Sequence, residues 1–353
     1  MGICGFLFRS TGYALVASIG VLVYFQLECM NEVEEKPNFA DKFDPKVTDA
    51  VAKLTFAKKD TSNKIHLGLG FMFSQWAPCP VKKFVNFLSP GGFKLENGEN
   101  KTIDILDARK KSPGPFDKTG FTLITLDKES VTKDWRTQLQ NDPNADVKHF
   151  TKEMEPHIRK LYPNVKRIEW THNVIRGGNK PGDQPPALIS HLDYHQDKDL
   201  RVEFHKNRPA LPEWLTRLTN KTESNYLMGL FDTENEKFKV MLGVWKPISP
   251  EKVCDKPLAV MDARTFKPEF QTRSELSMNL LAFTFNNLGG GIAYSPEQKW
   301  YYYSFQSTKE VLVFHQYTEG KFFANPHTSF LNKNCPKDTQ SRQSVELRVA
   351  LFF

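Results

Sequence analysis

The segment SHLDYHQDKD, Ser190 to Asp199, gathers two histidines and three aspartates within ten residues. On a β-strand, side chains two apart point to the same face, so His191 and Asp193 would project together while Leu192 packs behind them. An imidazole and a carboxylate converging on one point, completed by a histidine from a distant strand, make the facial triad of non-haem Fe(II) oxygenases. That geometry leaves coordination positions open for a co-substrate and dioxygen. The same H-x-D spacing also fits the polar end of a strand with no chemistry at all.

The end of the chain supplies what such a triad needs. EVLVFHQYTEGKFFANPHTSF and SRQSVELRVALFF contain a hydrophobic strand, His327 just after it, and Arg348 on the last strand. Within SVELRV, Ser344, Glu346 and Arg348 share one face, which makes Arg348 an inward cation and places Ser344 beside it as a second cofactor-binding side chain. The planar guanidinium fork matches a carboxylate in bidentate fashion and suits the distal carboxylate of 2-oxoglutarate. An arginine on an edge strand is otherwise a surface charge.

Other residues compete for these roles. His315 is in phase with Val311, Val313 and Tyr317, and reads as a satisfied barrel histidine or as an alternative third ligand. His195, four residues after His191, would share a helical face with it as in a zinc protease, but HExxH is absent. Asp197-Lys198-Asp199 is a D-x-D that could hold Mn2+ and a nucleotide diphosphate in a glycosyltransferase. Such enzymes need a regular strand and helix alternation that this chain lacks.

The elements that must position these residues are mostly strands. After Arg167 come IEWTHNVI, ALISHLDY, NYLMGLF, KVMLGVW, LAVMDA, LLAFTF, WYYYSF, EVLVFHQY and SVELRVALFF, short runs rich in β-branched and aromatic residues and separated by turn signals. The fold class is therefore mainly β, as a sandwich or closed barrel of mostly antiparallel strands after Arg167. Upstream, TIDILDA and GFTLITL also read as strands, and the apolar spacing of Val147, Phe150, Met154, Ile158 and Leu161 predicts a helix kinked at Pro156. DPKVTDAVAKLTF predicts a short surface helix, with Asp44 as cap, Pro45 in the first turn, and Val47, Val51 and Leu54 on one face. Trp245 and Tyr301 to Phe305 read mainly as core filling.

The chain has 353 residues, 39% hydrophobic, and a formal charge of +7 from lysines scattered among acidic residues. No basic stripe interleaved with aromatics is present, which argues against nucleic acid as a partner. Ser10 to Leu27 is an uncharged run long enough as a helix for a thin bilayer, with Arg9 before it and Glu28, Glu32, Glu34 and Glu35 after it. It predicts a signal-anchor over residues 1–30 and a type II membrane protein with a lumenal body, secreted if the segment is cleaved. Acceptor triplets at Asn100 and Asn220 agree with a glycosylated lumenal body. A stem would occupy residues 31–60, and the catalytic domain 61–353. Cys79, Cys254 and Cys335 permit at most one disulfide among them and no zinc cluster.

Taken together, ILDARK (105–110), FDKTGF (116–121), SHLDYHQ, VWKPI (244–248), PLAVMDARTF (257–266), KWYYYSFQ (299–306), EVLVFHQY, PHTSF (326–330) and SVELRVALFF resemble the hydroxylase/desaturase family of Fe(II)/2-oxoglutarate-dependent oxygenases. That family includes a cephamycin methoxylase component and fungal aspergillic-acid-type and meroterpenoid oxygenases. The resemblance implies a double-stranded β-helix, a cupin-like jelly roll with its core from about residue 167, with Fe(II) on His191, Asp193 and His327 and 2-oxoglutarate on Arg348. It also implies dioxygen as co-substrate, ascorbate as an auxiliary reductant, and hydroxylation or desaturation of a small molecule with release of succinate and CO2. Tyr194 stands where family members carry a polar amide, and His315 where they often carry lysine.

Overall fold

The computed structural model describes residues 49–59, 63–67, 93–126, 145–177, 185–207, 238–249, 251–280, 283–336 and 339–353. The architecture is mainly β. Its strands are β1 (Ala50–Ala57), β2 (Asn63–Leu67), β3 (Phe93–Leu95), β4 (Gly98–Asp107), β5 (Phe121–Thr125), β6 (Arg167–Gly177), β7 (His191–Leu192), β8 (Phe238–Pro247), β9 (Leu258–Met261), β10 (Gln271–Leu280), β11 (Phe283–Ile292), β12 (Trp300–Tyr302), β13 (Glu310–Thr318), β14 (His327–Ser329) and β15 (Gln343–Phe352). Among the described residues three α-helices accompany them: α1 (Phe116–Thr119), α2 (Ala145–Leu161) and α3 (Lys198–Asn207).

The strands form two sheets that face each other in a barrel-like arrangement. One has the order β1-β4-β12-β9-β14-β7-β11-β10-β2-β3, the other β5-β13-β8-β15-β6. Between them lie Trp245, Leu312, Phe314 and Phe121 from the five-stranded sheet and Leu258, Val260 and Tyr301 from the other. Alternation then sends the neighbours of these residues to the outer faces. Val244, Val311, Val313, Val345 and Leu347 are buried under α2 through Phe150, Met154 and Ile158. Burying each of those three helix side chains contributes about 1.5–3 kcal/mol. Ala52, Leu54, Phe56, Leu192 and Met261 pack on the far side of the larger sheet.

Two sequence expectations are corrected here. The segment expected as a surface helix is a strand from Ala50 onward: Ala50, Ala52, Leu54 and Phe56 are buried while Val51 is 53% exposed, a period of two rather than 3.6. β1 pairs along its length with β4 and so joins the larger sheet.

The type II topology and lumenal localisation are corrected as well. Among the described residues no helix is long and apolar enough to cross a membrane. The longest, α2, has 17 residues, carries Pro156 inside it and keeps charged residues such as Lys152, Glu155 and Arg159 on its outer side, because its apolar stripe serves the sheet. Residues 10–27, on which that topology rested, lie outside the described residues, as do Asn220, Cys79 and NYLMGLF. The glycosylation expected at Asn100 loses its ground with the lumenal body. Asn100 lies on β4, where its Oδ1 accepts a hydrogen bond from Thr55 Oγ1 at 2.9 Å. Cys254 and Cys335 are both free thiols.

Candidate metal centre

β7 and β14 are neighbours in the larger sheet, and His191 and His327 are direct register partners across them. Their rings stand 4.5 Å apart between centroids. Leu192 turns into the outer core, so His191 and Asp193 point between the sheets, as strand alternation requires. Ligand atoms of His191, Asp193 and His327 all lie within 4.8 Å of one another. No other group of three such residues gathers in this way among the described residues.

The backbone fixes which ring nitrogens face the cluster. His191 Nδ1 donates to the carbonyl of Ile189 at 2.6 Å, and His327 Nδ1 to that of Asn325 at 3.3 Å. Each Nε2 is thereby left as a lone pair, 3.7 Å from Asp193 Oδ1 for His191 and 4.0 Å from Oδ2 for His327. A carbonyl behind a ligating histidine is the usual second support of a metal site.

Electrostatics agree with that division of labour. Burial and the neighbouring His327 charge push His191 down to about 4, and burial lowers His327 as well. Burial alone would raise Asp193, but the Arg348 guanidinium, with help from His327, His191 and Arg176, holds its carboxyl well below the usual range. Two neutral imidazoles and an ionised carboxylate are the protonation states a divalent metal requires, so the donor set fits Fe(II).

Asp193 Oδ2 is held from outside the cluster. Arg348 Nη2 lies 2.7 Å from it, and Gln316 Nε2 donates to it at 2.7 Å. Arg348 also reaches the Tyr194 hydroxyl at 3.3 Å and lies over that ring at 5.3 Å. Glu346, on the same inner face of β15, accepts from Gln316 Nε2 at 3.4 Å, and burial, with Asp193 beside it, raises its carboxyl. Ser344 is buried on that face too.

Apolar side chains close the centre off. Phe314 lies 4.9 Å from the His327 ring, and its own place exists because Gly243 has no side chain: a Cβ there would stand 2.5 Å from Phe314 Cζ. Trp245 packs in the interior, with the Arg342 guanidinium 5.4 Å from its ring. Tyr194, Met241, Tyr317, Ala350 and Phe352 form a second apolar group in the interior.

The competing residues fall elsewhere. His315 faces away, its Nε2 2.7 Å from the Tyr162 hydroxyl and its Nδ1 3.0 Å from Thr318 Oγ1, so it is a satisfied core histidine. His195 is buried and its Nδ1 accepts from the Asp197 amide at 3.2 Å. Asp197 caps α3, with Oδ1 accepting from Leu200 N at 3.0 Å, which gives the D-x-D an ordinary structural task.

Sequence reasoning missed Gln316 and Asn325. Gln316 stands in phase with the inward Leu312 and Phe314, and a polar residue on that apolar face was the available signal. Asn325 is fully buried. It donates to the carbonyls of Thr119 and Met261, both at 2.8 Å, and accepts from the His315 amide at 2.9 Å. It thus fixes the strand entry that carries His327; nothing in its neighbourhood in the sequence marks it.

Residues 80–352 match the family model described as oxidoreductase/YMDC permease-like domain. The chain is 32% identical over 117 residues to the Fe(II)/2-oxoglutarate-dependent dioxygenase nvfI of Aspergillus novofumigatus, 31% of this chain and 39% of that protein. It is 30% identical over 128 residues to the hydroxylase/desaturase asaB of Aspergillus flavus, 32% of this chain and 55% of the relative. Against the aspirochlorine biosynthesis protein N of Aspergillus oryzae it is 29% identical over 116 residues, 32% and 48%. The matched stretches thus span about half or less of these curated relatives. Two solved structures of the iron and alpha-ketoglutarate-dependent endoperoxidase NvfI superpose with TM-scores of 0.59 and 0.60 at 18% identity. They cover 86% and 88% of this chain and 98% and 99% of theirs, which shows a shared fold. The resemblance to Fe(II)/2-oxoglutarate-dependent hydroxylase/desaturases is borne out by these relatives.

Proposed function

We propose that this chain, which belongs to the oxidoreductase/YMDC permease-like domain family over residues 80–352, is an Fe(II)/2-oxoglutarate-dependent oxygenase that hydroxylates or desaturates a small molecule. One observation carries the reading: two imidazoles and a carboxylate, drawn from strands more than a hundred residues apart in sequence, present their ligand atoms to one point. The fold is on this reading a double-stranded β-helix, and the catalytic unit comprises residues 61–353 together with β1.

His191, Asp193 and His327 hold the metal, His191 and His327 through Nε2. Fe(II) bound there with 2-oxoglutarate supplies the reductive activation of dioxygen that couples decarboxylation to succinate and CO2 with a two-electron oxidation of the substrate. Gln316 and Arg348 keep Asp193 oriented from its outer oxygen. Arg348 and Ser344 take the distal carboxylate of 2-oxoglutarate. Phe314 and Trp245 exclude bulk water, which strengthens every charge interaction inside.

The glycosyltransferase alternative loses its support because Asp197 is spent on the α3 cap. Hydroxylation, desaturation and the endoperoxidation named for NvfI share the consumption of 2-oxoglutarate and dioxygen. Co-substrate turnover is therefore the test that does not presuppose a product. Purified protein with Fe(II), ascorbate, 2-oxoglutarate and dioxygen releases succinate, and His327→Ala does not. Iron-loaded protein that forms no succinate above the protein-free control overturns the assignment and leaves a non-catalytic binding domain.

A further inference from the structure

We propose that Arg176 is a second cation for the distal carboxylate of a 2-oxo dicarboxylate held at the metal centre, an inference that rests on the function proposed above. Arg176 lies outside every motif that carries the family resemblance. It is the penultimate residue of β6 and the register partner of Ser344 on β15, and so shares the inner face with Ser344, Glu346 and Arg348. The next residue, Gly177, has φ +101°, and a Cβ there would stand 1.6 Å from the Arg342 carbonyl oxygen. Only glycine lets β6 close this tightly on the start of β15, and that approach keeps the Arg176 side chain buried, 9% exposed.

Among the described residues, Arg176, Arg342 and Arg348 act on three carboxylates, Asp193, Glu346 and Asp255. Arg176 interacts foremost with Glu346 and acts more weakly on His191, Asp193 and His327. A bound divalent cation adds positive charge to this set, and an uncompensated buried charge is strongly destabilising. A dianion offsets it.

The three guanidiniums differ in their commitments. Arg342 donates to the Lys256 carbonyl at 2.7 Å and to Ser329 Oγ at 2.8 Å, and stacks on Trp245, which makes it a structural clamp. Arg348 divides its fork between Asp193 and Tyr194. Arg348 therefore meets an incoming carboxylate with part of its donor set already engaged, and a neighbouring cation on the same face completes the clamp. Arg176 donates to the Pro185 carbonyl at 3.2 Å, which anchors its head beside that face, and Glu346 is its foremost counter-charge.

The test compares two 2-oxo acids on the Fe(II)-loaded protein without oxygen, by calorimetry. 2-Oxoglutarate has the second carboxylate and pyruvate does not. Arg176→Gln is expected to weaken 2-oxoglutarate by about tenfold or more while pyruvate and Fe(II) affinities stay within about twofold. Arg176→Lys keeps the buried charge, and with it the fold should the neutral variant not fold, and loses less affinity, again for 2-oxoglutarate only. Equal losses for both acids, or no loss for either, overturn the assignment to Arg176. Wild-type protein that binds Fe(II) but not 2-oxoglutarate overturns the function itself, a distinguishable result.

Discussion

Gln316 donates through Nε2 to Asp193 Oδ2 at 2.7 Å, so a neutral amide on the five-stranded sheet steadies the carboxylate, proposed as a metal ligand, that follows β7 of the other. The contact spans 123 residues of sequence, with Gln316 buried and Asp193 part-buried. Gln316→Leu removes the donor without adding charge. Fe(II) affinity is expected to fall by about 10- to 100-fold, the usual consequence of losing such a support. Titration calorimetry checks this, and unchanged affinity would show that Arg348 alone orients Asp193.

Asn325 makes its hydrogen bonds in a fully buried setting, so its truncation takes a donor from two carbonyls, while the His315 amide keeps the Gly120 carbonyl at 3.0 Å. Asn325→Ala is expected to cost about 2–4 kcal/mol in urea unfolding, since each stranded buried group costs about 1–3 kcal/mol and relaxation recovers part. A loss below about 1 kcal/mol would mean that water replaces the side chain.

Gly243 leaves room for the ring that backs His327. Gly243→Ala places a methyl 2.5 Å from Phe314 Cζ, closer than real contacts allow. Destabilisation of about 1–3 kcal/mol is expected from such overpacking, with weaker Fe(II) binding as Phe314 presses on His327. A denaturation midpoint equal to wild type would show that the ring has another place to go.

His315 is pushed down to about 3 by burial, and His195 to about 4, burial again leading. Both are neutral in the fold but protonate near 6.5 when unfolded, so the unfolded chain binds more protons below that pH. Their contribution is complete above pH 6.5 and is lost as pH falls towards their folded values. For His315 alone the loss by pH 5 is about 2 kcal/mol. His315→Gln should flatten the fall in unfolding free energy between pH 7 and pH 5 by about that amount, and an unaltered slope would place the pH dependence elsewhere.

The meeting of His191 and Asp193 with His327 was legible because a strand's period of two aims His191 and Asp193 one way and Leu192 the other. His327 and Arg348 followed from their order along the chain. His315 was read in phase with Tyr317, but the register of β13 shifts between them and carries Tyr317 to the interior beside Tyr194. β1 was read as a helix because Ala50 and Ala52 hide the strand alternation while Val47, Val51 and Leu54 imitate helical spacing. β10, QTRSELSMNL, escaped notice because its first half buries Thr272 and Ser274 rather than aliphatic side chains. Asn325 matters through partners such as Thr119 and Met261, remote in sequence, which no local pattern encodes.

Anaerobic titration with Fe(II) of the wild-type chain and of a His191→Gln/His327→Gln double variant bears most directly on the metal centre. Wild-type protein should take up one Fe(II) per chain. The double variant, folded by circular dichroism, should bind at least about a hundredfold more weakly. Equal stoichiometry and affinity in the two proteins would contradict the assignment of the metal to these residues.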